Sequence, residues 1–397
     1  MTSWSELATG YENESSEDET NILHEVNSQG DTLSEKSNTS YYEFAGILVN
    51  VSGVVGQIIL SHPWIVIRRQ CQIRHDSSRF HWTPFTVIPV AFKLVKSQGF
   101  PTLWKGISST LTLWLMGIGS ETVLSETFNL PKDISKHSSL KKIGQHFLLK
   151  GISLVLLSPF YAASLVETVQ SDLSTEPTSI ITCLLEGFRR MFIVYREPVS
   201  RLLPIWKIVP VVASFGLLHY VIKTFTGFMT NSYLSPNSTE IIECNKRPVF
   251  YINKGNPNRA DNQLDDVYYK YYCELFSTVM GSFTADVILF PMEVIVNRLC
   301  IQGTRVLIDN MDNPYEMVPI TTAYYGTRHA LNTILNETER GEGSGGLYKG
   351  FGALVIQYSI QFLLICCIRL GYENLLIKCS NVKPDLAATP KKINKIV

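Results

Sequence analysis

Gln98-Gly99-Phe100-Pro101-Thr102-Leu103-Trp104-Lys105-Gly106 returns 244 residues further on as Glu342-Gly343-Ser344-Gly345-Gly346-Leu347-Tyr348-Lys349-Gly350, with two glycines, an aromatic and a lysine at the same spacing. A chain that repeats a phrase repeats a structural unit. Upstream of each copy lies a long apolar stretch with a proline near its end, Pro63 and Pro291, and a third such proline, Pro159, falls between them. The pattern predicts three diverged units of roughly a hundred residues each.

The apolar residues gather in blocks rather than spreading as in a soluble domain. Phe44 to Ile67 carries no formally charged side chain, and shorter uncharged runs cover Ile107 to Ser120, Gly151 to Val166, Ile208 to Ile222 and Gly350 to Ile368. A sixth block, Leu275 to Met292, holds one charge, Asp286. A helix needs roughly 20 residues to cross a bilayer, so six spans in three pairs are expected, the shorter ones completed by amphipathic flanks. Gly, Ser, Thr and Gln within the blocks suit helices packed closely in lipid. The competing reading is a soluble helical protein, for which Phe44 to Ile67 is long.

Net charge is zero, with 35 basic and 35 acidic residues, but residues 1–43 hold ten acids and one lysine. That segment has too few apolar side chains to fold alone. It has the wrong charge sign for a matrix presequence and lacks the apolar core of a secretory signal. The eight cysteines form no C-x-x-C pair, so reduced thiols are expected, without zinc or disulfides.

The units are expected at 44–132, 133–228 and 267–378. They are framed by the acidic arm 1–43, a polar insertion 229–266 with turn signals such as Lys254-Gly255-Asn256-Pro257, and a basic tail 379–397. Each unit reads as a long helix broken by its proline, a short helix (near Phe85 to Lys96 and Ile180 to Met191 in the first two), and a second span. A proline removes one backbone hydrogen bond and bends a helix, so three similarly bent helices converge at one end around a pseudo-threefold axis. Gly99 and Gly343 are expected to permit the turn into the span. Trp104, Lys105, Tyr348 and Lys349 are expected to anchor at the membrane interface, with Gly106 and Gly350 completing the phrase.

The prolines and the E-G-x4-[WY]-K-G phrase resemble the mitochondrial carrier family, solute carrier family 25, whose units carry P-x-[DE]-x-x-[KR] at the end of each odd helix. The similarity is greatest to an outlying branch of the outer mitochondrial membrane, through Arg68-Arg69-Gln70-Cys71-Gln72, Leu165 to Ser171, Ile301 to Arg305 with Ile308-Asp309-Asn310, and Tyr348 to Ala353. It covers about 44–378 and is loosest in the second unit, where Glu186-Gly187 lacks the aromatic-Lys-Gly sequel. The resemblance implies an all-α membrane protein of three tandem helix hairpins, six transmembrane helices in a carrier fold. It further implies a role in the balance of mitochondrial fission and fusion, in cristae maintenance and in lipid homeostasis. The partners it implies are mitochondrial fusion GTPases, the inner-membrane cristae-organising complex and endoplasmic-reticulum contact proteins.

In carriers the acid of one unit pairs with the base of the next and closes one end of the bundle. Here the acid positions are Ile65, Tyr161 and Glu293, and the base positions are Arg68, Ser164 and Val296. One pair of three survives, Glu293 with Arg68, and it reads as a structural lock or, alternatively, a partner contact. Arg298 also needs a partner at that depth. Asp286 reads as a carboxylate bonded to another helix, with ligand contact as the alternative. Gln57, Gln357 and Gln361 read as interhelical hydrogen-bonders. Gly341-x-Gly343-x-x-Gly346 spells a dinucleotide fingerprint but lacks the preceding strand it requires. No catalytic, metal or cofactor constellation is present, so an enzyme is not expected, nor a nucleic-acid partner. The leading expectation is an adaptor in the lipid bilayer of the outer membrane, against the alternative of a small-solute or lipid transporter with a weakened gate.

Overall fold

A computed structural model describes residues 55–75, 77, 79–132, 139–172, 180–192, 203–234, 259–304, 306–310, 312–313, 316–336 and 343–386. The acidic arm 1–43, Glu342, and the tail beyond 386 lie outside the described residues. Met1–Val54 with Ser238–Cys273 form one unit and Val55–Asn237 with Glu274–Val397 another. Of the first, only the helical residues 259–273 are described. The second unit holds every contact discussed below.

Helix α1 covers 55–73, followed by α2 (Pro84–Gln98), a 3-10 turn (Phe100–Trp104) and α3 (Ile107–Phe128). Next come α4 (Leu140–Val169), α5 (Ile180–Phe192) and α6 (Ile205–Leu234). The chain closes with α7 (Arg259–Ile301), α8 (Thr327–Asn336), a second 3-10 turn (Gly343–Tyr348) and α9 (Phe351–Leu386). Residues 229–234, within the expected insertion, continue α6, and 259–266 open α7; residues 379–386 continue α9. Pro63, Pro159 and Pro291 each sit inside a continuous helix, α1, α4 and α7. Of the turn glycines, Gly99 has φ 93° and Gly343 φ 52°, as an abrupt entry into a span requires.

Among the described residues, four helical stretches are long and apolar enough to cross a membrane: Lys141–Val169, Ile205–Leu234, Tyr272–Ile301 and Gly343–Gly371. The expected first and second spans fall short among the described residues. In α1 the apolar run meets Arg68, Arg69, Gln70 and Gln72, and residues 44–54 of its block are not described; α3 is diluted by Ser, Thr, Gly, Glu121 and Glu126.

The all-α expectation also needs one amendment. Leu307–Asp309 (β1) pairs antiparallel with Met317–Pro319 (β2), Ile308 opposite Val318. The turn between them is tied by Asn310, whose side-chain oxygen accepts the backbone N–H of Asp312 and of Asn313 at 3.0 and 3.2 Å, the local bonding that makes Asn a turn residue. This ribbon pairs backwards onto the end of α4: Ser171 N–H donates to Leu307 O at 2.9 Å, and Gln170 bridges Ile308.

The proline-bearing halves of α1, α4 and α7 are the buried ones. Residues 66–68 and 70–74, 158–160 and 162–165, and 293–302 are all buried. One apolar core joins Ala162, Leu165 and Val169 of α4 to Ile295, Val296 and Leu299 of α7, with Leu203, Ile208, Val212, Ile308 and Ile334 closing over it. A second core packs Ile67 and Cys71 of α1 on Val87, Val90, Ala91 and Leu94 of α2 and on Ala353 of α9. The other ends of the long helices carry more exposed side chains, so the molecule is tightest where its prolines lie.

Candidate functional site

At that tight end a buried cation sits between two acids. Arg68 Nη1 lies 3.2 Å from Asp286 Oδ2, and Arg68 Nη2 lies 3.2 Å from Glu293 Oε1. Asp286 also accepts from the Tyr358 hydroxyl and from a His219 ring nitrogen, both at 2.9 Å. One carboxylate on α7 therefore ties α1, α6 and α9 together. Asp286 bonds to other helices as expected, and Arg68 has a second acid that the proline spacing did not disclose.

The two missing carrier pairs are replaced by neutral bonds. Tyr161, at an acid position, donates its hydroxyl to Asn297 Oδ1 at 2.9 Å, and Asn297 Nδ2 donates to Gln72 Oε1 at 2.7 Å, so α4, α7 and α1 are linked in one chain. Ser164, at a base position, meets the Ser109 hydroxyl at 3.2 Å. Arg69 Nη1 donates to Thr168 Oγ1 at 3.0 Å. Arg298, fully buried, donates Nε–H to the Gln72 carbonyl at 2.9 Å. Gln361 donates to Ser61 across α9 and α1 at 3.0 Å, as expected. By contrast, Gln57 Nε2 and Gln357 Oε1 are buried with no hydrogen-bond partner among the described residues.

The lysines of the repeated phrase turn inward rather than toward an interface. Lys349 is fully buried and its Nζ donates to the carbonyls of Arg74 and His75, at 3.1 and 3.0 Å, just past the end of α1. A cation there also answers the negative end of the helix dipole. Lys105 turns inward as well, onto Asp309 Oδ2 at 2.7 Å. Trp104 donates its indole N–H to Ile59 O at 3.0 Å, and Tyr348 stacks on Phe290 with ring centroids 6.0 Å apart. Each aromatic thus rests on the proline helix of its own stretch, α1 or α7.

Gly106 and Gly350 have φ of 71° and 81°. A Cβ on Gly106 would lie 2.9 Å from Thr168 Cα, and one on Gly350 would lie 2.9 Å from Cys71 Cβ. The phrase after α2 therefore docks on the end of α4, and the phrase before α9 docks on the end of α1. Glu186-Gly187 has no such sequel, and the seam between α4–α6 and α7 is the apolar core instead.

Asp309, which in the sequence carries part of the family resemblance but no evident partner, is the most enclosed acid of the site. It accepts from Gln70 Nε2 (2.8 Å), Gln98 Nε2 (2.7 Å) and Lys105 Nζ. Burial opposes its ionisation, but the Lys105 ammonium and the hydrogen bonds from Lys105, Ser171 and Gln98 hold its carboxyl below the ordinary range. The ribbon thus plugs the proline end with a buried salt bridge. The sequence signal was thin: three residues of strand, with partners more than 200 positions away.

Apolar helices of membrane-crossing length, bound at one end by buried ion pairs and phrase-to-helix docking, define a helical membrane protein. No family model matches the chain. The chicken (Gallus gallus) mitochondrial outer membrane protein SLC25A46 is 36% identical over 333 residues, covering 84% of this chain and 77% of the relative. Human (Homo sapiens) mitochondrial outer membrane protein SLC25A46 is 36% identical over 347 residues (87% and 79%), and Xenopus laevis solute carrier family 25 member 46-B is 36% identical over 355 (87% and 80%). The chain belongs to the SLC25A46 family, within solute carrier family 25.

Proposed function

We propose that this protein is a six-span, three-repeat carrier-fold protein of the outer mitochondrial membrane that acts as an adaptor rather than a solute exchanger. Its sphere of action is the balance of mitochondrial fission and fusion, cristae maintenance and lipid homeostasis. Its partners are fusion GTPases, the inner-membrane cristae-organising complex and endoplasmic-reticulum contact proteins. The relatives' names support the membrane, and the thrice-repeated order of long, short and long helix supports the repeats.

The observation that carries the adaptor reading is the sealed proline end. A carrier must open that end in every cycle, and moving a gate from 1:99 to 99:1 needs roughly 5.5 kcal/mol of bias. Opening here breaks a buried Asp309–Lys105 pair, two further bonds to Asp309 and the Tyr161–Asn297–Gln72 chain. Purified protein in phosphatidylcholine vesicles should therefore show no saturable counter-exchange of nucleotides, phosphate or carboxylates above empty vesicles. Such exchange would overturn the reading.

The transporter alternative rests on the polar row of Asp286, His219 and Tyr358 inside the long helices, which is more polarity than a passive scaffold needs. Exchange that is lost in Asp286→Ala would select it.

A further inference from the structure

The three short helices follow the three proline-bearing helices at the same end of the molecule, yet their outer faces differ. On α2 the inner face is Val87, Val90, Ala91 and Leu94, all buried. The outer face is apolar too: Phe85 is 83% exposed and Phe92 73%, with Ile88 and Pro89 between them. On α5, Gly187 is buried against Phe160, while Ile181 and Leu185 are 68% and 63% exposed and Phe188 is half exposed. Both outer stripes follow helical spacing (i, i+3, i+7 on α2; i, i+4, i+7 on α5), and each is followed by an exposed cation, Lys93 or Arg189.

On α8 the inner residues Ala330 and Ile334 are fully buried, but the exposed positions are Arg328, His329, Asn332, Leu335 and Asn336. The stripe is missing.

We propose that α2 and α5 lie in the bilayer interface with their outer stripes in the acyl boundary, while α8 stays in water, so that lipid grips the proline end on two sides of three. A helix that is apolar on its outer face and carries Lys or Arg beside that stripe is built for the headgroup boundary. A soluble surface does not leave so much contiguous apolar area bare. Phe100 after α2 and Trp114, Leu115 and Ile118 of α3 are exposed and apolar as well. Near α8 the exposed rings are Tyr325 and Trp206, each with a polar tip suited to headgroup level, and Tyr325 packs edge-on against His329 at 4.9 Å.

The proposal rests on the reading that the protein spans a bilayer, and the test keeps the two apart. Hydroxyl-radical footprinting of the unsubstituted full chain in phosphatidylcholine nanodiscs is read by mass spectrometry, with Leu218 and Phe225 of α6 as the reference for lipid burial. Protection of Phe85, Phe92, Leu185 and Phe188 to the α6 level, with Tyr325 and His329 oxidised at least fivefold more, is expected. Protected α6 with oxidised α2 and α5 overturns this proposal alone, as does protection of α8 equal to theirs. Oxidised α6 overturns the spanning reading.

Discussion

Arg68 stands between Asp286 and Glu293 at 3.2 Å from each, so the three residues are unequal in what their loss does. Arg68→Ala leaves two buried carboxylates without their cation, and breaking a buried pair costs about 3–5 kcal/mol. Glu293→Ala is milder, about 1–3 kcal/mol, because Arg68 keeps Asp286. From the sequence, Glu293 is the single partner of Arg68, and exchanging the two charges restores the pair. With Asp286 in place, a glutamate at position 68 would face a second acid, so Arg68→Glu with Glu293→Arg should recover little. Membrane-integrated protein on immunoblots should fall furthest for Arg68→Ala, and equal losses for Arg68→Ala and Glu293→Ala would refute the shared-cation arrangement. Asp309 gives a second test. Its carboxyl is held below the ordinary value near about 4, so its contribution is fully present above that pH and lost as pH falls through the lower folded value. In detergent, Asp309→Asn should melt lower than the unsubstituted protein at pH 7, by a margin that stays constant from pH 8 to 5 and shrinks below, as the Asp309 carboxyl protonates. An unchanged melt at pH 7 would remove the seal from the argument.

At the scale of elements, Gly106 and Gly350 decide how the long helices meet. Both have positive φ, a conformation that disfavours other residues by about 1–2 kcal/mol, and both lie against a neighbouring helix end: Thr168 Cα at 2.9 Å from a Gly106 Cβ, Arg68 O at 3.2 Å from a Gly350 Cβ. Gly106→Ala and Gly350→Ala should each lower the melting temperature by several degrees. Gly119 is the control: it is helical with open space around it, and Gly119→Ala should be neutral or stabilising by about 0.5–1 kcal/mol. A loss at Gly119 as large as at Gly106 would show that flexibility, not close approach, governs these sites. Much of this layer was readable in the sequence, because proline, glycine and apolar periodicity are local signals. The short helices were placed near 85–96 and 180–191 and are found at Pro84–Gln98 and Ile180–Phe192. The Arg68–Glu293 contact followed from the family resemblance, which assigns the acid and base positions after each proline. The inward turn of Lys105 and Lys349 did not, since a lysine beside an aromatic reads equally well as an interface anchor until its partners, a buried acid and two carbonyls, are in place. The ribbon was unreadable for a related reason: three residues of strand have no periodicity, and Asp309 draws its partners from Gln70, Gln98 and Lys105.

For the whole molecule, the six-span proposal makes a claim about sidedness that labelling can decide. Exposed lysines mark both ends of the bundle: Lys93 and Lys96 on α2, at the end that holds the prolines and the ribbon, and Lys132, Lys141 and Lys142 where α3 gives way to α4. A single crossing by α3, of 22 residues and about 1.5 Å rise per residue, separates the two sets by roughly 33 Å, the thickness of a hydrocarbon core. The acidic arm 1–43 precedes α1, which in the six-span order starts on the side of Lys132 and ends on the side of Lys93. In intact mitochondria an amine reagent carried on a polymer too large for the outer-membrane channels should reach one lysine set only. If the arm is cytosolic, the labelled set is Lys132, Lys141 and Lys142, and external protease removes the arm in the same sample. Lys93 and Lys96 should become reactive only after the outer membrane is ruptured. Labelling of both sets in intact organelles would mean that α3 does not cross, which leaves the four strongly apolar helices as the spans and dissolves the threefold count. Labelling of Lys93 and Lys96 alone would keep six spans but turn the ribbon-sealed end toward the cytosol.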